Sequence, residues 1–173
     1  MLKTERLILA PFSMRHLNEY VAGFTARITE YQWPDPFENT EQATDTLQAF
    51  LEETERGETL FYSVLSKDGA FLGSVEVHGL AEDCPELGVW IAKAEQNKGY
   101  AFEALDAVMD HVLKTYGKSA FYYEADVRNL PSRKLLHKFE KDYEIHAQEP
   151  ERFTTDSGKA LELQGFVLKA RER

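Results

Sequence analysis

A glycine-containing segment has the character of a phosphate-binding loop. It consists of Gln96, Asn97, Lys98, Gly99, Tyr100 and Ala101. Gly99 permits a tight turn and a close approach of the backbone to a ligand. The first turn of a following helix presents unpaired N–H groups at the positive end of its dipole. The pattern predicts that this segment, the phosphate loop, binds an anionic phosphate group. The alternative is that Gly99 only turns the chain from a strand into a helix.

Two other phosphate-binding motifs are absent from the sequence. There is no G-x-x-x-x-G-K-[ST] run, and no G-x-G-x-x-G closes the first strand of a βαβ unit. Their absence argues against a nucleotide hydrolase and against a dinucleotide-dependent oxidoreductase.

The elements on either side of the phosphate loop can position it. Residues 87–92 form a short apolar run of strand character. After the loop, apolar residues recur at helical spacing: Ala101, Ala104, Leu105, Val108, Val112 and Tyr116. The sequence therefore predicts a strand, the loop and an amphipathic helix in succession.

Composition indicates one packed domain. The chain has 173 residues, of which 43% are hydrophobic and 12% aromatic. This length suits one well-buried domain and is short for two, so a single domain over residues 1–173 is expected.

The formal net charge of -10 bears on the partners. Nucleic acid is bound through clustered lysines and arginines, so an acidic chain argues against a nucleic-acid partner. A cationic or amine substrate fits the charge better, although an acidic surface can also serve solubility alone.

The sequence also carries hints about the compartment. No signal peptide opens it and no stretch approaches the length that spans a membrane, so no membrane partner is expected. Cys84 is the only cysteine, which leaves no internal disulfide and no cysteine metal site; no metal is predicted. We expect a cytoplasmic protein.

The remaining pattern predicts a mixed α/β fold (α+β) with a largely antiparallel sheet and helices on both faces. Expected strands cover residues 6–10, 60–65, 71–77, 121–127, 143–147 and 160–168, and expected helices cover residues 14–24, a segment from Asn39 to Gly57, and about 129–139. Asp68-Gly69 predicts a hairpin between two of the strands. Residues 149–159 are expected to be a polar loop.

In this order and spacing, four motifs resemble the GNAT family of acyl-CoA-dependent N-acetyltransferases. They are Glu5-Arg6-Leu7-Ile8-Leu9, Trp33-Pro34, the stretch from Glu86 through the phosphate loop to Leu105, and Asn129-x-x-Ser132. The resemblance covers nearly the whole chain. It is closest to the ribosomal-protein-alanine acetyltransferase (RimJ/RimL-like) branch, in which homodimers are common.

The resemblance implies that acetyl-CoA is the co-substrate and that main-chain N–H groups of the phosphate loop bind its pyrophosphate, with Lys98 adding charge. Asn129 and Ser132 would also contact the cofactor. The strand end around Trp90 and Ile91 would hydrogen-bond the pantetheine arm and leave an N–H near the thioester carbonyl to stabilise the oxyanion. The side chain of Trp90 itself is expected in the core.

Two carboxylates are candidates for the general base that takes the proton of the amine. Glu124 lies five residues before Asn129, where members of the resembled branch can carry a base, and it is preferred. Glu86 is the alternative because it opens the strand beside the cofactor. Either could instead be an exposed acid at a strand edge. Glu103 is expected to be a polar residue on a helix face.

The sequence departs from the family at two places. Many relatives have a tyrosine seven residues after the asparagine that matches Asn129, whereas this chain has Leu136. The Ser132 hydroxyl is the substitute donor to the leaving thiolate, unless it only caps its helix. The family's Leu-Gly-Phe turn is replaced by Phe139-Glu140-Lys141-Asp142-Tyr143, which leaves the exit of that helix open.

The acceptor is not dictated by any motif. The resemblance points to a protein or peptide N-terminal α-amine, such as that of a ribosomal protein, and the charge favours a cationic acceptor such as a basic peptide, a polyamine or an aminoglycoside. Two non-enzymatic hypotheses are an acyl-CoA-binding sensor and a structural domain without a cofactor.

Overall fold

The computed structural model describes residues 1–172, and within them it contains nine strands and four α-helices. The strands are β1 (Leu2–Lys3), β2 (Leu7–Pro11), β3 (Thr59–Ser66), β4 (Phe71–His78), β5 (Glu86–Ile91), β6 (Ala120–Asp126), β7 (Tyr143–Ala147), β8 (Glu151–Thr154) and β9 (Ala160–Ala170). The helices are α1 (Leu17–Gly23), α2 (Thr40–Glu55), α3 (Tyr100–Tyr116) and α4 (Leu130–His137).

All nine strands belong to one sheet. Its order is β1-β2-β3-β4-β5-β6-β9-β7, and β8 pairs with β9 beside β7. Every pairing is antiparallel except that of β5 with β6, which is parallel. The predicted fold class, a mixed and largely antiparallel sheet, is confirmed.

Helices cover both faces of the sheet, as expected. On one face, α3 buries an apolar stripe against β2, β4 and β5: Ala104, Leu105, Val108, Met109 and Val112. On the other, α1 and α2 enclose an aromatic cluster that includes Phe12, Tyr20, Phe24, Phe61 and Trp90. β5 contributes residues to both cores and leads into the phosphate loop.

Local signals in the sequence account for several element ends. The predicted helix from Asn39 begins with a capping pair: the side chain of Asn39 accepts a hydrogen bond from Gln42 N, and the side chain of Gln42 accepts one from Glu38 N. Gly69 has φ 91° in the turn between β3 and β4. The predicted hairpin at Asp68-Gly69 is therefore present.

The structure corrects three expected segments. The predicted helix over residues 14–24 begins as a 3-10 turn, Met14–His16, before α1. The short strand β1 precedes the expected first strand. The expected polar loop over residues 149–159 contains β8, whose four residues are all exposed. An edge strand that buries neither face lacks the alternating apolar pattern from which strands are predicted.

Among residues 1–172, no helix is both long enough and apolar enough to cross a membrane.

Candidate active site

The parallel pair β5 and β6 opens into a wedge. The two strands pair only at Glu86 with Tyr122 and at Leu87 with Tyr123, and then separate. The other edge of β5 stays paired with β4 as far as Ile91. Residues beyond Leu87 on β5 therefore have one main-chain edge that no neighbouring strand covers.

The main-chain groups that face the opening belong to odd-numbered residues of β5. Pro85 O accepts a hydrogen bond from Tyr122 N on the β6 side, whereas Ala92 N donates to Leu72 O on the β4 side. Since successive residues of a strand direct their hydrogen-bonding groups to opposite edges, the N–H groups of Val89 and Ile91 face the wedge. Ile91 O lies there too, because it accepts a hydrogen bond from Gln96 Nε2.

The phosphate loop follows β5 and carries two left-handed residues. Asn97 has φ 62° and Gly99 has φ 83°. Within the described chain, the main-chain N–H groups of residues 97–102 donate to no other protein group, and the first bond of the helix runs from Glu103 N to Gly99 O. Free N–H groups on a bend at the N-terminus of a 17-residue helix form an anion-binding concavity.

A large cleft of about 610 Å³ runs from this loop into the wedge, a volume in the range of ligand-binding pockets. Gln96, Asn97, Gly99, Tyr100 and Ala101 of the loop line it, together with Trp90 and Ile91. Lys98 does not line the cleft; its Nζ lies 2.7 Å from Glu95 Oε2. Of Trp90, the indole is buried in the aromatic cluster, as expected.

The positive charge beside the large cleft comes from other residues, which the sequence analysis missed. Arg27, Lys93, Lys134 and Lys138 line it. Lys134 and Lys138 are four residues apart, so they lie on one side of the chain at α4. The four-residue spacing of these two lysines is visible in the sequence. The sequence analysis missed this local positive charge because it considered only the net charge of the whole chain.

A small crevice joins the large cleft from the β6 side. Its lining includes Tyr31, Trp33, Glu86, Glu124 and Leu163. Both cavities share six lining residues: Tyr31, Gln32, Val89, Tyr123, Asn129 and Ser132. The junction is therefore the point at which a molecule in the large cleft can meet a second molecule in the small crevice.

The two candidate bases lie together in the small crevice. The crevice walls displace part of the water around Glu86 and so raise its pKa, and the nearby Glu124 carboxylate raises that pKa further. Tyr122 OH donates a 3.0 Å hydrogen bond to Glu124 Oε2, which holds this carboxylate in place. Both glutamates remain solvent-exposed, so water can carry protons to and from them.

Asn129 and Ser132 lie at the junction with different local roles. Asn129 is the N-cap of α4, and its Oδ1 accepts a 3.2 Å hydrogen bond from Ser132 N. The hydroxyl of Ser132 does not cap the helix; it lies 3.0 Å from the hydroxyl of Tyr123. The sequence analysis did not single out Tyr123, which lies on β6 and is 5% exposed. Its residue type was the only signal in the sequence, because a buried tyrosine usually needs a hydrogen-bond partner for its hydroxyl.

Among the described residues, no group of three or more histidine, cysteine, aspartate or glutamate side chains could hold a metal ion.

Comparison with known proteins decides the family. The Acetyltransferase (GNAT) domain family matches residues 6–140, most of the chain. The protein belongs to the GNAT acetyltransferases. It is thus an acetyl-CoA-dependent N-acetyltransferase, and the resemblance drawn from the four motifs is confirmed.

Solved structures show the same GNAT fold. RimL, a ribosomal L7/L12 alpha-N-protein acetyltransferase in complex with coenzyme A, is 15% identical, with a TM-score of 0.80 over 96% of each chain. Mycobacterium smegmatis RimJ in complex with CoA-disulfide is 17% identical, with a TM-score of 0.77 over 95% of this chain and 82% of that one. Spermidine N-acetyltransferase from Vibrio cholerae, in complex with CoA and spermine, is 16% identical, with a TM-score of 0.79 over 96% and 97%. No curated protein sequence matches.

The structure describes the two places near α4 at which the sequence departs from the resembled pattern. Leu136, where the resemblance leads one to expect a tyrosine, is 4% exposed and packs in the α3-side core. The turn after α4 closes without glycine, because Phe139 O accepts hydrogen bonds from both Asp142 N and Tyr143 N. Residues 139–143 include no residue with positive φ, and β7 begins directly after the turn.

Proposed function

We propose that this acetyltransferase transfers the acetyl group of acetyl-CoA to a protein or peptide N-terminal α-amine, as one domain over residues 1–173. The observation that carries the proposal is the junction of the two cavities at Val89, Tyr123 and Ser132. The large cleft would hold CoA and the small crevice the amine. Acetyl-CoA supplies the acyl group on a good thiol leaving group.

The free N–H groups of the phosphate loop fit a diphosphate. We assign the diphosphate to the main-chain N–H groups of residues 97–101 and the pantetheine arm to the free edge of β5 at Val89 and Ile91. The N–H of Val89 lies at the junction, where it would donate to the thioester carbonyl oxygen as negative charge develops. Arg27, Lys93, Lys134 and Lys138 supply positive charge for the phosphates.

Glu124 is the proposed general base, and Glu86 is the alternative. An α-amine with a pKa near 8 costs roughly 1 kcal/mol to deprotonate at neutral pH, whereas an amine with a pKa near 10.4 costs roughly 4 to 5 kcal/mol. A solvent-exposed carboxylate that acts through water is sufficient for the first cost and poorly matched to the second. This difference favours an α-amine acceptor.

Ser132 is the proposed hydrogen-bond donor to the leaving thiolate. Its hydroxyl lies at the junction, and the phenol of Tyr123 is 3.0 Å away. Burial raises the pKa of Tyr123, so this phenol stays protonated at neutral pH. Either hydroxyl can donate in this pair; we propose that the more acidic phenol of Tyr123 donates to Ser132 Oγ, which would leave the Ser132 proton free to donate to the sulfur.

A small cationic amine is the second candidate acceptor. Two carboxylates face the small crevice, and the exposed indole of Trp33 stands at its edge, a combination that attracts an ammonium group. The V. cholerae neighbour is a spermidine N-acetyltransferase. The same indole also offers a flat surface for the first side chains of a peptide.

A thiol-release assay over an acceptor panel separates these candidates. The panel contains a short peptide with a free N-terminus and a lysine, the same peptide with its N-terminus acetylated, and spermidine. We expect release with the first peptide and little with the second. A higher kcat/KM for spermidine would replace the α-amine with a polyamine, and binding of acetyl-CoA without release from any acceptor would favour a sensor.

A further inference from the structure

The N-terminal arm of the chain, defined here as Thr4, Glu5 and Arg6, lies against the phosphate loop and the first turn of α3. We propose that Arg6 is a positioning residue that fixes the phosphate loop from behind and cancels the charge of Glu103 beside the diphosphate. The inference rests on the proposed role of that loop as the diphosphate site. Arg6 itself does not line the large cleft.

The guanidinium of Arg6 contacts Lys98 and Tyr100 of the loop and lies beside Gly99 between them. Its Nη1 donates a 2.7 Å hydrogen bond to Lys98 O. Its Cζ lies 4.8 Å from the centre of the Tyr100 ring. Its Nη2 would lie 3.2 Å from a Cβ atom at Gly99. Lys98 is the residue between the two left-handed positions, so a bond to its carbonyl holds the bend on which the free N–H groups depend.

The same guanidinium pairs with an acid at the N-terminus of α3. Arg6 Nε donates to Glu103 Oε2 at 2.7 Å, and Arg6 N donates to Glu103 Oε1 at 2.8 Å. Thr4 Oγ1 also donates to this carboxylate. Burial acts to raise the pKa of Glu103, but these hydrogen bonds outweigh it and lower that pKa. Glu103 is thus a charged residue on a face of α3 whose side chain is only 16% exposed; the sequence predicted a polar helix-face residue there but not its pairing with the arm.

An unpaired carboxylate in this turn would repel the phosphates. The first turn of α3 is where the free N–H groups attract an anion, and Glu103 would oppose that attraction at close range. Pairing with Arg6 makes the local net charge zero. The helix terminus then keeps its capacity to bind a diphosphate.

The sheet anchors the backbone of the N-terminal arm, and this anchoring does not depend on the phosphate loop. Leu7, the next residue, is fully buried and pairs with Ser66 of β3. Lys67 Nζ donates to Thr4 O at 2.6 Å, and Leu7 N donates to Thr4 Oγ1 at 2.9 Å. Because these contacts fix the backbone of the arm, the Arg6 side chain connects the sheet to the phosphate loop.

Arginine is specifically suited to this position. Its guanidinium group donates to Lys98 O and to Glu103 through different nitrogens, while the same group lies over the Tyr100 ring. A lysine has a single ammonium and cannot make all three contacts together. We therefore expect Arg6→Lys to behave largely like Arg6→Gln.

The test compares Arg6→Gln with the wild type on two acyl donors, using the same amine acceptor. Acetyl-CoA carries the diphosphate, and S-acetylpantetheine lacks it. We expect Arg6→Gln to lower kcat/KM for acetyl-CoA about tenfold, equivalent to about 1.4 kcal/mol, mainly through KM. For S-acetylpantetheine the change should be less than twofold. Lys114→Gln, which breaks an exposed ion pair with Asp110 near the other end of α3, is the control and should alter neither donor.

Each outcome bears on a different claim. If the wild type uses acetyl-CoA no better than S-acetylpantetheine, the diphosphate assignment itself fails. If the wild type prefers acetyl-CoA and Arg6→Gln keeps that preference, or loses both activities equally, the inference about Arg6 is overturned. Should Arg6→Gln fail to fold, Arg6→Lys is measured in the same way and judged by the same criteria.

Discussion

Replacing Gly99 with valine tests the phosphate loop at the residue that shapes it. Gly99 has φ 83°, a left-handed conformation that costs a residue with a Cβ roughly 1–2 kcal/mol. A Cβ there would also lie 3.2 Å from Arg6 Nη2, a close contact that the flexible guanidinium must relieve by moving. The loop of the variant therefore relaxes away from its native bend and must be forced back to bind.

The cost of restoring the bend sets the expected loss of affinity. Binding must restore the strained bend, so roughly 1–2 kcal/mol is subtracted from the binding free energy. This weakens the affinity for CoA about 5- to 30-fold. The assay is calorimetric titration with CoA, together with thermal unfolding. We expect a weaker Kd and a lower Tm for Gly99→Val.

A matched control separates binding from stability. Gly117, just after the last residue of the same helix, is also left-handed, with φ 66°, and a Cβ there meets no atom within 4 Å. Gly117→Val should lower Tm comparably and leave the Kd for CoA unchanged. If the two variants had equal CoA affinities, the reasoning that links the bend to the diphosphate would be refuted.

Three further predictions concern the junction and its support. Glu124→Gln should lower kcat at least tenfold with little change in the Kd for acetyl-CoA; an unchanged rate across the pH range would transfer the base to Glu86 or to water. Tyr123→Phe should lower kcat several-fold through loss of the hydrogen bond to Ser132, and a wild-type rate would show that Ser132 needs no such orientation. Asp126 accepts hydrogen bonds from Arg128 that lower its pKa to about 2 against the opposing effect of burial. The contribution of Asp126 to the free energy of unfolding, about 2 kcal/mol, should be complete above about pH 5 and be lost as the pH falls through about 2. Asp126→Asn should remove that acid-dependent contribution, and identical acid unfolding of both proteins would contradict it.

The fold was predictable where a short stretch of sequence determines a local structure. Asn39 with Gln42 begins a helix through hydrogen bonds between near neighbours, and Asp68-Gly69 closes a hairpin through its own turn geometry. The strand β8 was not predictable, because an exposed edge strand that pairs only with β9 has no apolar alternation to reveal it.

The part of the candidate site that is contiguous in sequence was predictable, whereas its contacts between distant parts of the chain were not. The phosphate loop is a contiguous segment, so its residues, flanking strand and helix could be read together. The contact of Arg6 with Lys98 spans 92 positions, and the meeting of Tyr123 with Ser132 depends on the angle between β6 and α4. Such contacts are set by packing, which a single sequence does not display. For Lys98, proximity in sequence was misleading, since its ammonium pairs with Glu95 instead of lining the cleft.

A crystal structure of the protein with CoA tests the central claim most directly. The account predicts diphosphate oxygens within about 2.7–3.2 Å of main-chain nitrogens of residues 97–101, with the pantetheine arm along Val89 and Ile91 and the sulfur beside Ser132. A diphosphate held only by lysine side chains elsewhere on the large cleft, with the loop N–H groups left free, would contradict it.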